Sequence, residues 1–78
     1  MQLVGELTFA NVPTVWGHFA PEAAGKATID VSGVTEVDSA GLALISALRR
    51  AAGPQCRVLG FTSKLATLAS AYDVEALF

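Results

Sequence analysis

The sequence has few of the residues from which covalent and metal sites are built. Its 78 residues include one cysteine, Cys56, and one histidine, His18. A lone cysteine cannot form an internal disulfide, so a reducing compartment is the expected environment. One histidine and one cysteine do not supply the ligands of a structural zinc site. We therefore expect no disulfide framework, no metal and no cofactor, with Cys56 buried as a small hydrophobe.

Charge is also scarce. Charged residues make up 15% of the chain, against about 25% in typical soluble domains. The five basic residues are scattered and the net charge is −2. This distribution argues against nucleic-acid binding and against a polybasic membrane-binding patch. No apolar run approaches the ~20 residues of a membrane span, and no signal peptide is evident. We expect a cytoplasmic protein that reaches the inner membrane only through a partner complex.

What the chain does have is apolar residues, at 53%. Parallel strands that are buried on both faces would account for this excess, and so would apolar surface reserved for another protein. Composition alone leaves both explanations open. The length predicts a single domain over residues 1–78.

Short strand-like and helix-like runs alternate along the chain. Strands are predicted at Gln2–Leu7, at residues 27–31 and at residues 55–61. Helical runs follow each of them, and the second spans Ser39–Ala52. This order predicts an α/β fold, with a short, mainly parallel sheet and helices packed on it.

The first helix is predicted from its spacing and its flanking residues. Thr8 is a candidate N-cap, and because Pro13 fits only in a first turn, the regular helix should begin near Asn11. Pro21 and Gly25 should close it. One face has i, i+3, i+4, i+7 spacing and is interpreted as core, with His18 exposed beside it. That face comprises Val12, Val15, Trp16 and Phe19.

Later segments follow the same logic. Residues 34–37 are predicted to be a short connection, and Thr62 or Ser63 a cap for the third helix. The apolar face of that helix comprises Leu65, Leu68, Ala69 and Tyr72. The expected C-terminal apolar plug comprises Val74, Leu77 and Phe78.

The start of the second helix is the most informative stretch. Ser39 is placed as N-cap, where its hydroxyl would accept from a free backbone N–H. The helix dipole and the free N–H groups tolerate an anion at this point. A phosphate on Ser39 would add about −1.5 to −2 charges beside Asp38. Such a modification would switch a docking surface off and leave the fold intact.

A helical wheel divides the second helix into two sides. The predicted core side comprises Gly41, Leu44, Ile45, Leu48 and Ala52. The opposite stripe comprises Ser39, Ala43, Ser46 and Arg50. Leu42 lies beside this stripe, next to Arg49, away from the core centre. The stripe is small and flat enough for another protein to approach. The wheel is also consistent with a plain alternative, in which Ser39 only caps the helix and Leu42 packs under a loop.

Catalytic interpretations find little support. A hydrolase triad of Ser39, His18 and Asp38 lacks the Gly-x-Ser-x-Gly elbow, and so small a chain has little room for a substrate pocket. Glu36 and Asp38 are more simply solvated carboxylates than metal ligands. No Gly-x-x-x-x-Gly-Lys phosphate loop is present. We expect no enzymatic activity.

Five segments together resemble the STAS family (sulfate transporter and anti-sigma factor antagonist domains). They are GELTF from Gly5, IDVSGV from Ile29, VDSAGL from Val37, LGF from Leu59 and KLATLA from Lys64. The short length and the GLALI run from Gly41 are most similar to the MlaB-like branch.

The resemblance implies a protein-binding module. MlaB-like members are cytoplasmic STAS subunits that bind the ATPase of a phospholipid-transport ABC complex, which maintains outer-membrane lipid asymmetry. The alternative is an anti-sigma factor antagonist, phosphorylated by an anti-sigma factor kinase at the position matching Ser39. In either case the expected partner-binding residues are Asp38, Ser39, Ala40, Leu42, Ala43, Ser46, Arg49 and Arg50.

One departure from the family concerns the N-terminus. Family members usually begin with an extra strand that pairs antiparallel with the Gly-Glu-Leu strand, and Met1 leaves almost no room for it here. Gln2–Leu7 is then expected to be an open edge, covered by a partner or by a second copy in a homodimer.

Overall fold

A computed structural model describes residues 1–61 and 63–71, without the side chains of residues 64, 68 and 69. The predicted cap at Thr62, the helix position Tyr72 and the C-terminal plug therefore lie outside the described residues. The elements are β1 (Gln2–Leu7), α1 (Val12–Ala23), β2 (Thr28–Val37), α2 (Ser39–Ala52), β3 (Arg57–Leu59) and α3 (Ser63–Ala71).

The three strands form one parallel sheet in the order β1-β2-β3. Helices connect the parallel strands, as crossover connections require. The predicted α/β architecture is confirmed. Because each helix returns the chain to the start of the next strand, α1 and α2 both begin at the carboxyl edge of the sheet and end at its amino edge. The C-terminal ends of α1 and α2 are joined by a backbone hydrogen bond of 3.0 Å, from the Gly25 N–H to the Ala52 carbonyl.

β2 is longer than the sequence predicted. Residues 34–37, expected to be a connection, continue the strand to Val37. They pair with the second half of β1, where Gly5 lies opposite Val34 and Leu7 opposite Val37. The prediction was wrong because these partners come from a distant part of the chain, and local turn signals at Ser32-Gly33 do not report them.

β3 is shorter than predicted. Only Arg57–Leu59 pairs with β2, opposite Thr28 to Asp30, instead of residues 55–61. Gly60 ends the strand with a φ of +75°, which L-residues with side chains rarely adopt.

α1 starts near the predicted position but runs past Pro21 to Ala23. Proline at this point removes only a hydrogen bond to the carbonyl of Gly17, and two helical residues remain after it. Ala23 is fully buried, which holds the last turn against the core. Gly25, with φ +80°, then turns the chain, as expected.

The core lies between one face of the sheet and the helices. β1 contributes Leu3 and Leu7, and α2 contributes more residues than any other element. Cys56 is buried and free, as predicted. The buried apolar residues are Leu3, Leu7, Ala23, Ile29, Val31, Val37, Leu42, Leu44, Ile45, Leu48, Ala52, Cys56 and Leu65. Within the described ranges, no helix has both the length and the apolar character needed to cross a lipid bilayer.

The first turn of α2 packs directly on the backbone of β1. A Cβ atom built on Gly41 would lie 2.0 Å from the Leu7 carbonyl oxygen and 2.7 Å from Val37 Cγ2. No side chain fits in that space. Glycine at position 41 therefore sets how closely α2 approaches the end of β1.

We predict that Gly41→Ala lowers the free energy of unfolding by about 3 kcal/mol or more, because the clash is with backbone and cannot be relieved by a rotamer change. Gly17→Ala is the matched control. Gly17 lies in α1 with nothing within 4 Å of its built Cβ, so alanine there should stabilise by roughly 0.5–1 kcal/mol through helix propensity. Urea denaturation of both variants measures the two values. Equal stability of the two variants would contradict the close contact.

Candidate functional site

The carboxylate of Asp38 joins three parts of the chain at the carboxyl edge of the sheet. One oxygen accepts from Gly41 N–H at 3.0 Å, and the other accepts from Phe9 N–H at 2.9 Å. The Asp38 N–H donates to the Leu7 carbonyl at 3.3 Å. The end of β1, the turn after it and the start of α2 are thereby held together.

Asn11 braces the same turn from the other side. Its Oδ1 accepts from Thr8 N–H at 2.8 Å, and its Nδ2 donates to the Glu6 carbonyl. The Thr8 carbonyl accepts from the N–H groups of Asn11 and Val12. Thr8, predicted to cap α1 with its side chain, takes part here through its backbone, and Asn11 is the residue that precedes the helix.

The two hydrogen bonds on Asp38 also change its titration. The N–H of Phe9, followed by that of Gly41, holds the pKa of the Asp38 carboxyl below its ordinary value of 3.8. A carboxylate that accepts backbone N–H groups is stabilised in its charged form. Asp38 therefore remains ionised at neutral pH and keeps both bonds.

Asp38, rather than Ser39, is the N-cap of α2. Its extended backbone and its bond to the third helical N–H are typical of that position. Ser39 is the first helical residue, and it is exposed. The prediction that Ser39 caps the helix was wrong because either residue type suits the position, and the backbone places Asp38 there. The Ser39 hydroxyl is thus not needed to hold α2.

The predicted partner-binding residues of α2 divide by exposure. Ser39, Ala43 and Arg50 are exposed, and Asp38, Ala40 and Arg49 are partly exposed. The exposure that the wheel implied for Leu42 and Ser46 was wrong, since Leu42 is 2% exposed and Ser46 is 4% exposed. Their role in partner binding stays a prediction. α2 is covered on more than its sheet-facing side, so its buried arc extends round to these two residues. The wheel assigned Ser46 to the surface because its position on the helix is opposite the residues predicted to face the core.

An apolar groove of about 310 Å³ runs between α1 and α2. It lies on the flank of α2 opposite Leu42 and Ser46. Trp16 forms one wall and is 39% exposed, so the prediction that Trp16 belongs to the core was wrong. The other three residues of the predicted α1 face are partly buried against the core. Trp16 lies at the edge of that face, beside the groove. The lining residues are Val12, Trp16, Ala40, Ala43, Leu44 and Ala47.

Phe9 is the surface feature that sequence reasoning missed. Its side chain is 82% exposed, and its N–H is held by Asp38 at the ends of α1 and α2 that border the groove. The sequence does contain a sign of it, because Phe9 is a large apolar residue in a short turn and belongs to no amphipathic helix or strand. Periodicity analysis does not register it because such a turn has no repeating face.

Two of the residues weighed as a hydrolase triad, Asp38 and His18, have other contacts in the structure. The Asp38 bonds described above are to backbone N–H groups, while the exposed His18 ring packs edge-on against Phe19, with centroids 4.7 Å apart. Among the described residues, no three His, Cys, Asp or Glu side chains come together as a metal site would require. What the site offers is a shaped apolar surface beside a capped helix N-terminus.

Comparison with known protein families identifies the family of this chain. The family described as "Mlab, STAS domain" matches residues 1–78, the whole chain. The resemblance inferred from the five segments is confirmed. No curated protein matches the chain.

The Asp38 clamp predicts a pH-dependent contribution to stability. Its pKa is lowered in the folded state, so its stabilisation is present above the ordinary carboxyl value of 3.8 and is lost as pH falls below it. Asp38→Asn retains one accepting oxygen for two N–H donors. We expect this variant to melt at a lower temperature than the unmodified chain at pH 7. The difference in melting temperature should disappear between pH 4 and about pH 2.

The exposed carboxylate Glu22 provides the control for that experiment. Glu22→Gln should follow the unmodified chain throughout the pH range. Thermal melts followed by circular dichroism measure all three proteins. A gap for Asp38→Asn that stays constant down to about pH 2 would show that the carboxylate charge does not matter.

Ser46 yields a second prediction. Among the residues that the structure describes, its buried Oγ atom has no hydrogen-bond partner, and an unsatisfied buried hydroxyl is unfavourable. Ser46→Ala should therefore raise the free energy of unfolding by about 1 kcal/mol. Ser70→Ala, at an exposed helical serine of α3, separates out the gain from helix propensity. If chemical denaturation shows Ser46→Ala to be no more stabilised than Ser70→Ala, the buried hydroxyl is satisfied in solution.

Proposed function

Because this chain belongs to the MlaB-like STAS domain family, we propose that it is a non-catalytic subunit that binds and regulates the ATPase of a phospholipid-transport ABC complex. STAS domains are in general protein-interaction modules rather than enzymes. The chain would then act in the cytoplasm and contact the inner membrane only through the complex. Its effect on lipid transport would be exerted through the partner's nucleotide cycle.

The observation that carries this proposal is the apolar groove between α1 and α2. Every residue that lines it is apolar, and the Trp16 side chain is partly open to solvent. Aromatic side chains in such positions are enriched among residues that dominate binding energy. Small residues at Ala40, Ala43 and Ala47 would let a partner helix or loop approach α2 closely. The groove therefore supports docking at the surface around the start of α2.

The groove also changes which residues are expected to matter. Trp16 and Ala43 line it, and Ser39 lies one helical turn before Ala43 on the exposed side. Leu42 and Ser46 are buried on the other flank and would act on binding only through the fold. We propose that the docking surface consists of the groove and of Ser39, in place of the whole stripe predicted from the wheel.

We predict that Ala43→Glu weakens binding to the ATPase subunit at least about tenfold, since it would place an unpaired charge in an apolar interface. The matched control is Ala66→Glu. Ala66 is exposed on α3, which follows the strand farthest from β1 in the sheet. Binding is measured by isothermal titration, and folding of each variant by circular dichroism.

Two results would count against the proposal. Folded Ala43→Glu that binds as tightly as the unmodified chain would remove the groove from the interface. A folded, unmodified chain that does not bind the ATPase subunit at micromolar concentration would contradict the choice of partner.

A second candidate function is favoured by the state of Ser39. Its hydroxyl is exposed at the first position of α2, and Asp38 already supplies the cap. A phosphoryl group would meet the positive end of the helix dipole. This supports the alternative of an anti-sigma factor antagonist controlled by phosphorylation.

Intact mass spectrometry distinguishes the two functions. Incubation with ATP and an anti-sigma factor kinase would add one phosphate to the chain, and none to Ser39→Ala, if the alternative holds. The mass should stay unchanged under the transporter proposal.

A further inference from the structure

The carboxyl edge of the sheet carries an exposed aromatic side chain on a rigid support. We propose that Phe9 is an anchor residue that inserts into an apolar pocket of the docked protein, and that the pocket is bordered by Lys or Arg. The inference rests on the proposed function, because it assumes that the ATPase subunit approaches the groove between α1 and α2. It adds a second contact, outside the groove, and states the chemistry of the partner's surface.

The first argument is rigidity. Phe9 N–H is bonded to Asp38, and the residue before it is held by Asn11. The turn is therefore tied to both β1 and α2 before any partner arrives. A side chain presented on a preorganised backbone loses little conformational entropy on binding. Among the described residues Phe9 is also the most exposed large hydrophobic side chain, at 82%, and burying it would release a large apolar surface from water.

The second argument is position. Phe9 lies three residues before Val12 in the chain, and its amide is bonded to the residue two positions before Ala40. Val12 and Ala40 line the groove in the first turns of α1 and α2. A protein that fills the groove from this end meets Phe9 at the same edge of the sheet. Phe9 therefore lies close to this end of the groove.

The third argument is charge. The Asp38 carboxylate accepts from the Phe9 N–H, and Glu6 and Glu36, which are opposite each other in β1 and β2, lie at the same edge of the sheet. The described cationic side chains belong to the opposite edge of the sheet, where β2 and β3 begin and α2 ends. They are Lys26, Arg49, Arg50 and Arg57. A basic border on the partner pocket would complement the acidic residues at this edge of the sheet and would repel the other end of the molecule.

The test uses the full chain and the ATPase subunit of the lipid-transport complex. Phe9→Ala keeps the backbone N–H that Asp38 holds, so the fold should survive, as circular dichroism and melting temperature will show. We expect the dissociation constant to rise roughly tenfold or more. Phe9→Leu, which restores apolar bulk, should recover part of the affinity. Val4→Ala is the control, because Val4 is 65% exposed on the sheet face opposite the helices.

Charge is tested with a second pair of variants. Glu6→Gln should slow association at low salt and reduce the salt dependence of the association rate. Glu22→Gln removes an equivalent charge from the C-terminal part of α1, at the opposite edge, and should leave both unchanged. Surface plasmon resonance at two salt concentrations measures the rates.

The outcomes separate this inference from the proposed function. If folded Phe9→Ala binds as well as the unmodified chain while Ala43→Glu does not bind, the Phe9 anchor is wrong and the groove stands. If Glu6→Gln and Glu22→Gln have equal effects on the association rate, the basic border is wrong. If the unmodified chain does not bind the ATPase subunit, the proposed function and the anchor fall together.

Discussion

The contact between the start of α2 and the end of β1 is the constraint on which the rest of the surface depends. Gly41 lets the helix backbone approach the Leu7 carbonyl, and the Asp38 carboxylate then bridges the helix N–H and the turn N–H. This fixes where α2 begins relative to α1, and therefore the width of the groove between them. The same carboxylate holds the turn that presents Phe9. The structural cap and the proposed docking surface thus depend on one small set of hydrogen bonds.

The proposed function depends on the part of α2 that this contact leaves uncovered. The sheet-facing residues of α2 and its Leu42–Ser46 flank are buried, which leaves the flank towards α1 as an apolar groove. Because Asp38 supplies the cap, Ser39 is left exposed beside that groove. A phosphate or a bulky group at Ser39 would alter the proposed docking surface without loosening the helix. Membership of the MlaB-like STAS family indicates which kind of partner to look for, and the groove indicates where it would bind.

Much of the fold could be predicted because it depends on local patterns. Apolar runs bounded by Gly and Pro located the three strands, and helical periodicity located α1 and α2. The length of β2 could not be predicted, since its second half is a strand only because β1 lies beside it. Pro21 wrongly predicted the end of α1. The helix continues to Ala23 because burying Ala23 stabilises the last turn more than the hydrogen bond lost at Pro21 destabilises it.

The site was predicted less completely, for a related reason. The exposure of a helical residue depends on what packs against each flank of the helix. A wheel shows only the angular position and the type of each residue. Ser46 therefore appeared exposed and Trp16 buried, whereas the structure has the reverse order of exposure. Phe9 lies in a turn without periodicity. By contrast, the Asp38-Ser39 pair was found because polar residues before an apolar helix mark its N-terminus. The cap was assigned to Ser39, whereas the structure has Asp38 in that position.

Hydrogen–deuterium exchange of the chain with and without the ATPase subunit can locate the surface at which the two proteins meet. If the groove is the docking surface, amide exchange should slow on binding in residues 8–16 and 39–47, and it should stay unchanged in β3. Protection confined to β3 and α3, with residues 8–16 and 39–47 unaffected in a stable complex, would contradict the account.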